Sequence, residues 1–325
     1  MPKLVIQIPC HNERLTLPIV LGSLPRTLPG IDAIEWLVVD DGSADGTAEA
    51  AMAGGVDHVV RLPRQQGLAS AFMAGLERSL KVGADIIVNT DADNQYCADD
   101  IPRLIAPILA GEAEIVIGAR PIAATQHFSP VKKLLQGLGS WVTRFLSNTD
   151  VQDAPSGFRA ISREAALRLH VFNGYTYTIE TVIQAGRNGM AIRSVPVRTN
   201  PPLRPSRLVR GLTSYVARQL LTMVRVFMTY RPFRFFAIPG ALLFAVGFGL
   251  GLRFLYFYVT IGGAGHVQSV VLAALLMGTG FFLGVMGLIA DLVGVNRTLL
   301  EQVDWRLKKL EETLTGQART GRQDQ

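Results

Sequence analysis

The sequence predicts an α/β domain with a mostly parallel sheet, followed by a helical region that associates with a membrane. Over roughly the first 200 residues, short apolar segments alternate with helix-like segments, which is the pattern of repeated β-α units. Polar motifs directly follow several of the predicted strands. Two long apolar stretches come later, and each is long enough to cross a hydrocarbon core of ~30 Å.

The elements of the first domain follow from apolar spacing and turn residues. Strands are predicted at Leu4–Ile8, Glu35–Val39, Val59–Leu62, Asp85–Asn89 and Ala113–Ile117. Helices are predicted at Asn12–Leu24, from a Ser43 or Asp45 cap toward Met52, at Gly67–Lys81 and at Ile101–Leu109, and the first has Leu15, Ile19, Val20 and Leu24 as its apolar face. Sites in such sheets lie at the carboxyl ends of the strands.

Composition supports a membrane partner. Apolar residues make up 49% of the chain, charged residues 18%, and the mean hydropathy is +0.27, which is too apolar for an ordinary soluble enzyme. The net charge of +6 is concentrated after about residue 195. No zinc-ligand or nucleic-acid recognition motif accompanies it, so an anionic membrane surface is expected rather than nucleic acid. Cys10 and Cys97 lack metal or redox spacing and are expected to be buried thiols in a reducing compartment.

The C-terminal part is predicted to form a membrane hairpin with both chain ends in the cytoplasm. Basic residues precede the first apolar stretch and follow the second, while the connecting loop at Gly262–Gly265 has none. Buried core helices are the alternative. An apolar stripe after the second stretch permits a homo-oligomer, and the polar tail from Thr315 is expected to be disordered. The predicted divisions are residues 1–205 (α/β domain), 206–232 (amphipathic juxtamembrane helices), 233–295 (two transmembrane helices) and 296–325 (amphipathic helix and tail).

The acidic pair Asp91 and Asp93 directly follows a predicted strand. Residues i and i+2 of an extended segment point the same way, so both carboxylates can face one cation. Hard oxygen donors with open positions suit Mg²⁺ or Mn²⁺, which in turn binds a diphosphate. Gln95 offers a further oxygen. The same spacing also occurs in solvated turns. The position of the acidic pair directly after a strand favours the metal site over a turn.

Asp40 and Asp41 end the second strand and are candidate nucleotide contacts, because a carboxylate can accept a nucleobase N–H or ribose hydroxyls. Helix capping is the alternative, and it suits Ser43 and Asp45 better. Gly67 opens a small-residue loop that permits close backbone approach. The loop lacks the Gly-x-Gly-x-x-Gly pattern, which argues against a dehydrogenase.

After the first strand, the segment from Pro9 to Glu13 completes the set of candidate donor contacts, with Glu13 toward the ribose and His11 as a wall of the base pocket. Together, this segment, residues 38–47, Asp91–Gln95 and Ser156–Arg159 resemble the family 2 glycosyltransferases. The branch is that of dolichol-phosphate mannose synthases and bacterial polyprenyl-phosphate glycosyltransferases. The sequence departs from the family pattern at His11, where an aromatic residue is usual, and at Asn94-Gln95-Tyr96, where the family has Leu-Gln-His.

The resemblance implies a GT-A fold over roughly 200 residues and transfer of a hexose from a UDP- or GDP-sugar, with Mg²⁺ or Mn²⁺, to undecaprenyl or dolichyl phosphate. It implies nucleobase contact by Asp40 and metal binding by Asp91, Asp93 and Gln95. It also makes Arg120 the residue that reaches the acceptor phosphate. Phosphate binding or loop structure is implied for Arg144 and Arg159.

A phosphate monoester is largely anionic near neutral pH, so it needs no protein general base, and direct in-line attack would invert the anomeric centre. Another lipid or glycan acceptor, or a catalytically idle membrane scaffold that binds nucleotide sugar, are the alternatives. A processive polymer synthase is disfavoured, because the chain has only two apolar stretches and no Gln-x-x-Arg-Trp sequence.

Overall fold

The computed structural model describes residues 2–121, 144, 149–171, 177–201, 221, 224–225, 227–262 and 267–323, with side chains as far as residue 310. The chain forms two compact units. One contains Met1–Gln219 together with Trp305–Gln325, and the other contains Leu220–Asp304. Most of the predicted juxtamembrane segment, residues 206–232, lies outside the described residues.

The first unit is built on a mixed sheet. Over the described residues it has seven strands in the order β3-β2-β1-β4-β6-β5-β7. The strands are β1 (Lys3–Cys10), β2 (Ala33–Asp40), β3 (His58–Arg61), β4 (Ile86–Asn89), β5 (Ile115–Ala119), β6 (Arg159–Ser162) and β7 (Ile192–Pro196). Only β6 runs against its neighbours, since it pairs antiparallel with both β4 and β5. The mostly parallel sheet predicted from the alternation is therefore confirmed.

Helices cover both faces of this sheet. They are α1 (Leu17–Ser23), α2 (Thr47–Ala53), α3 (Leu68–Lys81), α4 (Ile101–Leu109), α5 (Arg163–Arg168) and α6 (Thr178–Arg187). Side chains of a strand alternate between faces. Accordingly, Leu4 and Ile6 of β1 join the core beneath α1 and α4, whereas Val5 joins the core beneath α3, α5 and α6.

The first helix is shorter than its apolar spacing predicts. It begins at Leu17 instead of Asn12, and Leu15 and Ile19 of the predicted apolar face are 86% and 50% exposed. The backbone of Asn12 is left-handed, with φ at 55°, and a turn follows in which the Glu13 carbonyl accepts from Thr16 and Leu17. A helix cannot begin through a left-handed residue, so the prediction of its start and of two core positions was wrong.

The second unit contains α7 (Pro232–Ile261) and the first part of α8 (Val267–Gln323). The segments Pro232–Ile261 and Val267–Leu310 are long and apolar enough to cross a membrane, judged by length and composition. The helix α8 extends to Gln323, and the disorder expected from Thr315 stays a prediction.

Small residues let α7 and α8 approach closely. A Cβ atom on Gly247 would lie 2.9 Å from the Ala273 carbonyl oxygen and from the Met277 nitrogen. One on Gly240 would lie 2.8 Å from the Gly280 carbonyl oxygen. Close backbone contact at small residues is how helices associate where no hydrophobic effect drives them together. The hairpin is therefore packed through its glycines.

We expect Gly247→Leu to destabilise the hairpin by about 2 kcal/mol, because the new side chain has no room against α8. Gly249→Leu is the matched control, since a Cβ there meets nothing within 4 Å. The thermal unfolding midpoint of the full chain in detergent micelles measures both. Equal midpoints for the two variants would contradict the packing of α7 against α8.

Candidate active site

Six polar segments meet at one edge of the sheet. Strands β1, β2, β4 and β5 run in the same direction, so the residues after them share that edge. Strand β6 runs the other way, so the residues before it lie at the same edge. Five of the converging segments are His11–Glu13, Asp40–Gly42, Asp91–Gln95, Arg120 and Ser156–Phe158. The sixth is the Gln66–Gly67 loop, which donates backbone hydrogen bonds to Asp41. The predicted convergence of the motifs is confirmed.

The Asp91 carboxylate has the most unfavourable electrostatic surroundings of the described acidic side chains at this edge. It accepts no hydrogen bond from any residue that the structure describes, although it is half-buried. Burial, and then the charge of Asp93, raise the pKa of Asp91 to about 7, while Arg120 and Arg159 act in the opposite direction. Among the described residues, no group donates a hydrogen bond to the anionic carboxylate, and a bound cation would stabilise its charge directly.

Asp93 and Gln95 lie on a rigid loop. Asp93 Oδ1 accepts from the Gln95 backbone N–H at 3.0 Å, and Asn94 takes a left-handed φ of 61°. Asn200 holds the loop from outside, because its Nδ2 donates to the carbonyl oxygens of Asn94 and Tyr96 at 3.1 and 3.2 Å. No side-chain hydrogen bond of Gln95 is seen within the described part of the chain. Its amide is thus free to turn toward a ligand.

The donor set fits a hard divalent cation. Two carboxylates and an amide oxygen at positions i, i+2 and i+4 are ligands that Mg²⁺ and Mn²⁺ accept, with further positions left for phosphate oxygens and water. Over the described residues, no group of three or more His, Cys, Asp and Glu side chains is arranged to hold a metal. A cation at Asp91 and Asp93 would therefore be incompletely enclosed by protein, as suits a metal that also binds a substrate.

The two carboxylates after β2 have different tasks. Asp41 is buried, and its Oδ1 and Oδ2 accept from the backbone N–H groups of Gln66 and Gly67 at 2.7 and 2.9 Å. Gly67 has a φ of 97°, which favours glycine. Asp41 therefore holds the loop before α3. Asp40 accepts from the Ser43 N–H through Oδ1 at 3.0 Å, and its Oδ2 has no partner among the described residues.

The loops after β1 and β2 are tied together. The Ser43 hydroxyl accepts from the Asn12 backbone N–H at 2.9 Å, so Ser43, one of the two predicted caps, does not cap α2. Asp45, the other, accepts through Oδ1 from the N–H of Thr47, the first residue of α2, at 3.0 Å. His11 Nδ1 lies 2.8 Å from the Asp41 carbonyl oxygen, which places a proton on that nitrogen. The Glu13 carboxylate accepts from the Thr16 hydroxyl at 2.6 Å. Pro9 is a buried residue of β1 and pairs with Val39 in register.

Arg120 forms a buried ion pair at the end of β5. Its Nε and Nη2 donate to the two oxygens of Asp153 at 2.6 and 3.0 Å, and Asp153 is almost completely buried. Nη1 has no hydrogen-bond partner among the residues described. The bidentate pair fixes the plane of the guanidinium and leaves one nitrogen to contact an anion.

Arg159 has a structural role in this structure. The residue is fully buried, and its guanidinium donates to Thr181 Oγ1 at 2.6 Å, to Thr178 O at 3.3 Å and to the Ser156 carbonyl. Burial lowers the pKa of Arg159. Of its two predicted roles, these contacts agree with loop structure, and phosphate binding stays a prediction. Arg144 is itself described, but its sequence neighbours 122–143 and 145–148 lie outside the described residues.

The comparisons with known proteins agree with this geometry. The sequence profile described as glycosyl transferase family 2 matches residues 5–169. The chain belongs to this family. A polyprenol monophosphomannose synthase from Mycolicibacterium smegmatis is 30% identical over 59% of this chain and 76% of its own length. An undecaprenyl-phosphate mannosyltransferase from Micrococcus luteus is 30% identical over 58% of this chain and 80% of its own.

A solved glycosyltransferase structure shows a similar architecture. Glucosyl-3-phosphoglycerate synthase from Mycobacterium tuberculosis, in complex with Mn²⁺, UDP-glucose and phosphoglyceric acid, superposes with a TM-score of 0.54 at 26% identity. The match covers 68% of this chain and 79% of that one. The first unit therefore has the GT-A fold, and the chain is a glycosyltransferase, as the resemblance of its motifs implied.

Sequence reasoning missed the residues that support the site. Asn89, Asp153 and Asn200 are buried or half-buried polar residues whose hydrogen bonds run to neighbouring loops. Asn89 carried a signal, because it is a polar residue at the end of the apolar strand Ile86–Asn89. A fully buried polar group needs a partner, so its position could have been read as part of a network.

Proposed function

We propose that this family 2 glycosyltransferase transfers a hexose from a UDP- or GDP-sugar to a polyprenyl phosphate, inverting the anomeric centre, with Mn²⁺ or Mg²⁺ at Asp91, Asp93 and Gln95. The Asp91 carboxylate carries the proposal, because it lies beside Asp93 at the carboxyl edge of a GT-A sheet and accepts no hydrogen bond from the described residues. The relatives named for polyprenyl and undecaprenyl phosphate support the acceptor. A neighbour solved with Mn²⁺ and UDP-glucose supports the donor and metal.

The donor side is assigned to residues around the β1, β2 and β4 ends. When bound, the metal would neutralise charge on the departing diphosphate. Asp40, through its available oxygen, accepts a nucleobase N–H. Pro9 and Glu13 lie along the ribose side, and Asp41 acts on the donor indirectly by holding the Gly67 loop. The chain's own contribution is orientation of the donor in a preformed site.

The acceptor side is assigned to Arg120. A phosphate monoester attacks without a protein general base, since its second pKa is about 6. What it needs is a fixed cation, and the Asp153 pair holds Arg120 in one plane with Nη1 available. Arg144 is a second candidate for the acceptor phosphate.

The membrane side rests on charge and hydropathy. Two helices have the length and composition of membrane spans, and no Lys or Arg lies in the loop at Gly262–Gly265 that joins them. Positively charged segments stay in the cytoplasm. We therefore place both termini and the catalytic unit at the cytoplasmic face, where the phosphate group of an isoprenoid acceptor and the nucleotide sugar are both available.

The test is an acceptor and donor panel with the purified full chain in detergent. UDP- and GDP-hexoses are combined with Mn²⁺ or Mg²⁺ and with undecaprenyl phosphate, dolichyl phosphate or phosphoglyceric acid. A metal-dependent glycolipid product is expected. Product from phosphoglyceric acid alone would overturn the lipid acceptor, and no product from any combination would favour the idle scaffold.

We expect Arg120→Lys to raise the KM for the lipid phosphate by about tenfold. The planar guanidinium of arginine can pair with Asp153 and contact an anion at the same time, whereas the single ammonium group of lysine lacks this geometry. The KM for the donor should change little. Lysine keeps the charge, so Asp153 is not left unpaired, as it would be in an alanine variant. Steady-state kinetics with each substrate varied in turn measure the effect. An increase confined to the KM for the donor would refute the assignment of Arg120 to the acceptor.

A further inference from the structure

Gly157 lies next to the Asp91 carboxylate and forms one side of the pocket that holds it. A Cβ atom on Gly157 would lie 2.8 Å from Asp91 Oδ1 and 2.9 Å from Oδ2, so the carboxylate occupies the space that any side chain at this position would need. The position of this backbone therefore limits where the carboxylate can lie. Metal ligands depend on such neighbours, because coordination distances tolerate only about 0.2 Å.

The Tyr96 hydroxyl holds this side of the pocket. It accepts from the Gly157 backbone N–H at 3.0 Å, and the Ser156 hydroxyl lies 3.5 Å away. The Tyr96 ring is buried and stacks on Phe158 with 5.0 Å between ring centroids. Tyr96 also belongs to the loop that carries Asp93 and Gln95. Its hydroxyl thus connects the loop bearing the acidic pair to the loop that packs against Asp91.

A second set of contacts holds Gly157 from the opposite side. Asn89 Nδ2 donates to the Gly157 carbonyl oxygen at 2.8 Å and to the Tyr177 hydroxyl at 2.9 Å. Gln7 Nε2 donates to Asn89 Oδ1 at 2.9 Å, which orients the amide. All of these groups are buried, and buried hydrogen-bond networks specify one arrangement of their members. Gly157 is consequently fixed at both its N–H and its carbonyl.

We propose that Tyr96 is a positioning residue for the metal site, acting through Gly157 on the Asp91 carboxylate. The inference rests on the proposed function, because it requires a divalent cation at Asp91 and Asp93. Without the hydroxyl, the Gly157 N–H is buried with no acceptor, and the segment shifts to find one. The Asp91 carboxylate is then no longer held in position by Gly157, and the cation is bound less tightly. Supporting contacts of this kind are worth 10- to 100-fold in metal affinity in general.

The experiment measures binding of UDP to the full chain by calorimetry over a range of Mn²⁺ concentrations, alongside thermal unfolding. Tyr96→Phe removes one oxygen and retains the stack on Phe158. We expect the Mn²⁺ concentration for half-maximal UDP binding to rise about tenfold, while UDP binding without Mn²⁺ is unchanged. Tyr177→Phe removes the hydroxyl that Asn89 contacts and so weakens the hold on the Gly157 carbonyl. It should raise the required Mn²⁺ concentration to a smaller extent, and it provides the test if Tyr96→Phe does not fold.

Tyr256→Phe is the matched control, because it removes the same atom from an exposed tyrosine of α7. If Tyr96→Phe lowers the unfolding midpoint but leaves the Mn²⁺ dependence at the wild-type value, the residue is merely structural and the inference is overturned. If Mn²⁺ has no effect on UDP binding even in the wild-type protein, the proposed metal role itself fails, and that result is independent of Tyr96.

Discussion

Replacing Asp91 with asparagine is expected to lower glycosyl transfer by about 1,000-fold, the scale of losing one preorganised electrostatic contact at a reacting centre. Asparagine has nearly the same shape but cannot compensate a divalent cation. The fold should tolerate the change. The raised pKa of Asp91, about 7, means that its charged form is disfavoured in the folded protein. Above pH 7, a neutral side chain removes this unfavourable charge, so the free energy of unfolding should stay constant or increase.

The measurement is turnover with saturating Mn²⁺, together with thermal unfolding at pH 8. Asp93→Asn should also abolish metal-dependent turnover. Asp99→Asn is the control, because Asp99 is a nearby acid whose side chain is 79% exposed and lies 3.9 Å from Arg198. We expect wild-type activity from it. Turnover within a few-fold of wild type for both Asp91→Asn and Asp93→Asn would remove the acidic pair from the mechanism.

The β-α alternation was readable because the two signals are local. Strand β4 begins with the apolar run Ile86–Val88, and α3 has helical spacing over Leu68–Lys81 after a glycine. The strand ends then placed the acidic pair and Asp40 at one edge without any tertiary information. The spacing of Asp91 and Asp93 indicated the metal chemistry, and the family motifs added the likeness of Arg120 to an acceptor-binding residue.

The hydrogen bonds that hold the site residues in place could not be predicted from the sequence, because they join residues far apart in the chain. Asn89 and Gly157 are separated by 68 positions, and Arg120 and Asp153 by 33. Nothing in the local sequence indicates that the two oxygens of Asp41 accept from the backbone N–H groups of Gln66 and Gly67. The same limit applies to Arg159, because its hydrogen-bond partner Thr181 lies 22 positions away in the chain.

Gly157→Ala tests this side of the Asp91 pocket directly. The backbone at Gly157 is not left-handed, so an alanine can be accommodated by the main chain. Its methyl group would, however, lie 2.8 and 2.9 Å from the Asp91 oxygens, closer than a carbon and an oxygen can approach. The carboxylate has to move, and we expect activity at subsaturating Mn²⁺ to fall by about 100-fold, the upper end for a residue that supports a metal ligand.

Gly22→Ala is the matched control for this substitution. Gly22 lies in α1, and a Cβ there meets nothing within 4 Å, so alanine should raise stability by up to about 1 kcal/mol through helix propensity and leave activity unchanged. The Mn²⁺ concentration for half-maximal turnover and the thermal midpoint separate the two effects. Gly157→Ala with a wild-type Mn²⁺ dependence would show that the Asp91 carboxylate does not bind the metal in the position seen here. A higher Mn²⁺ requirement with an unchanged midpoint would instead show that this backbone contact shapes the site without holding the fold together.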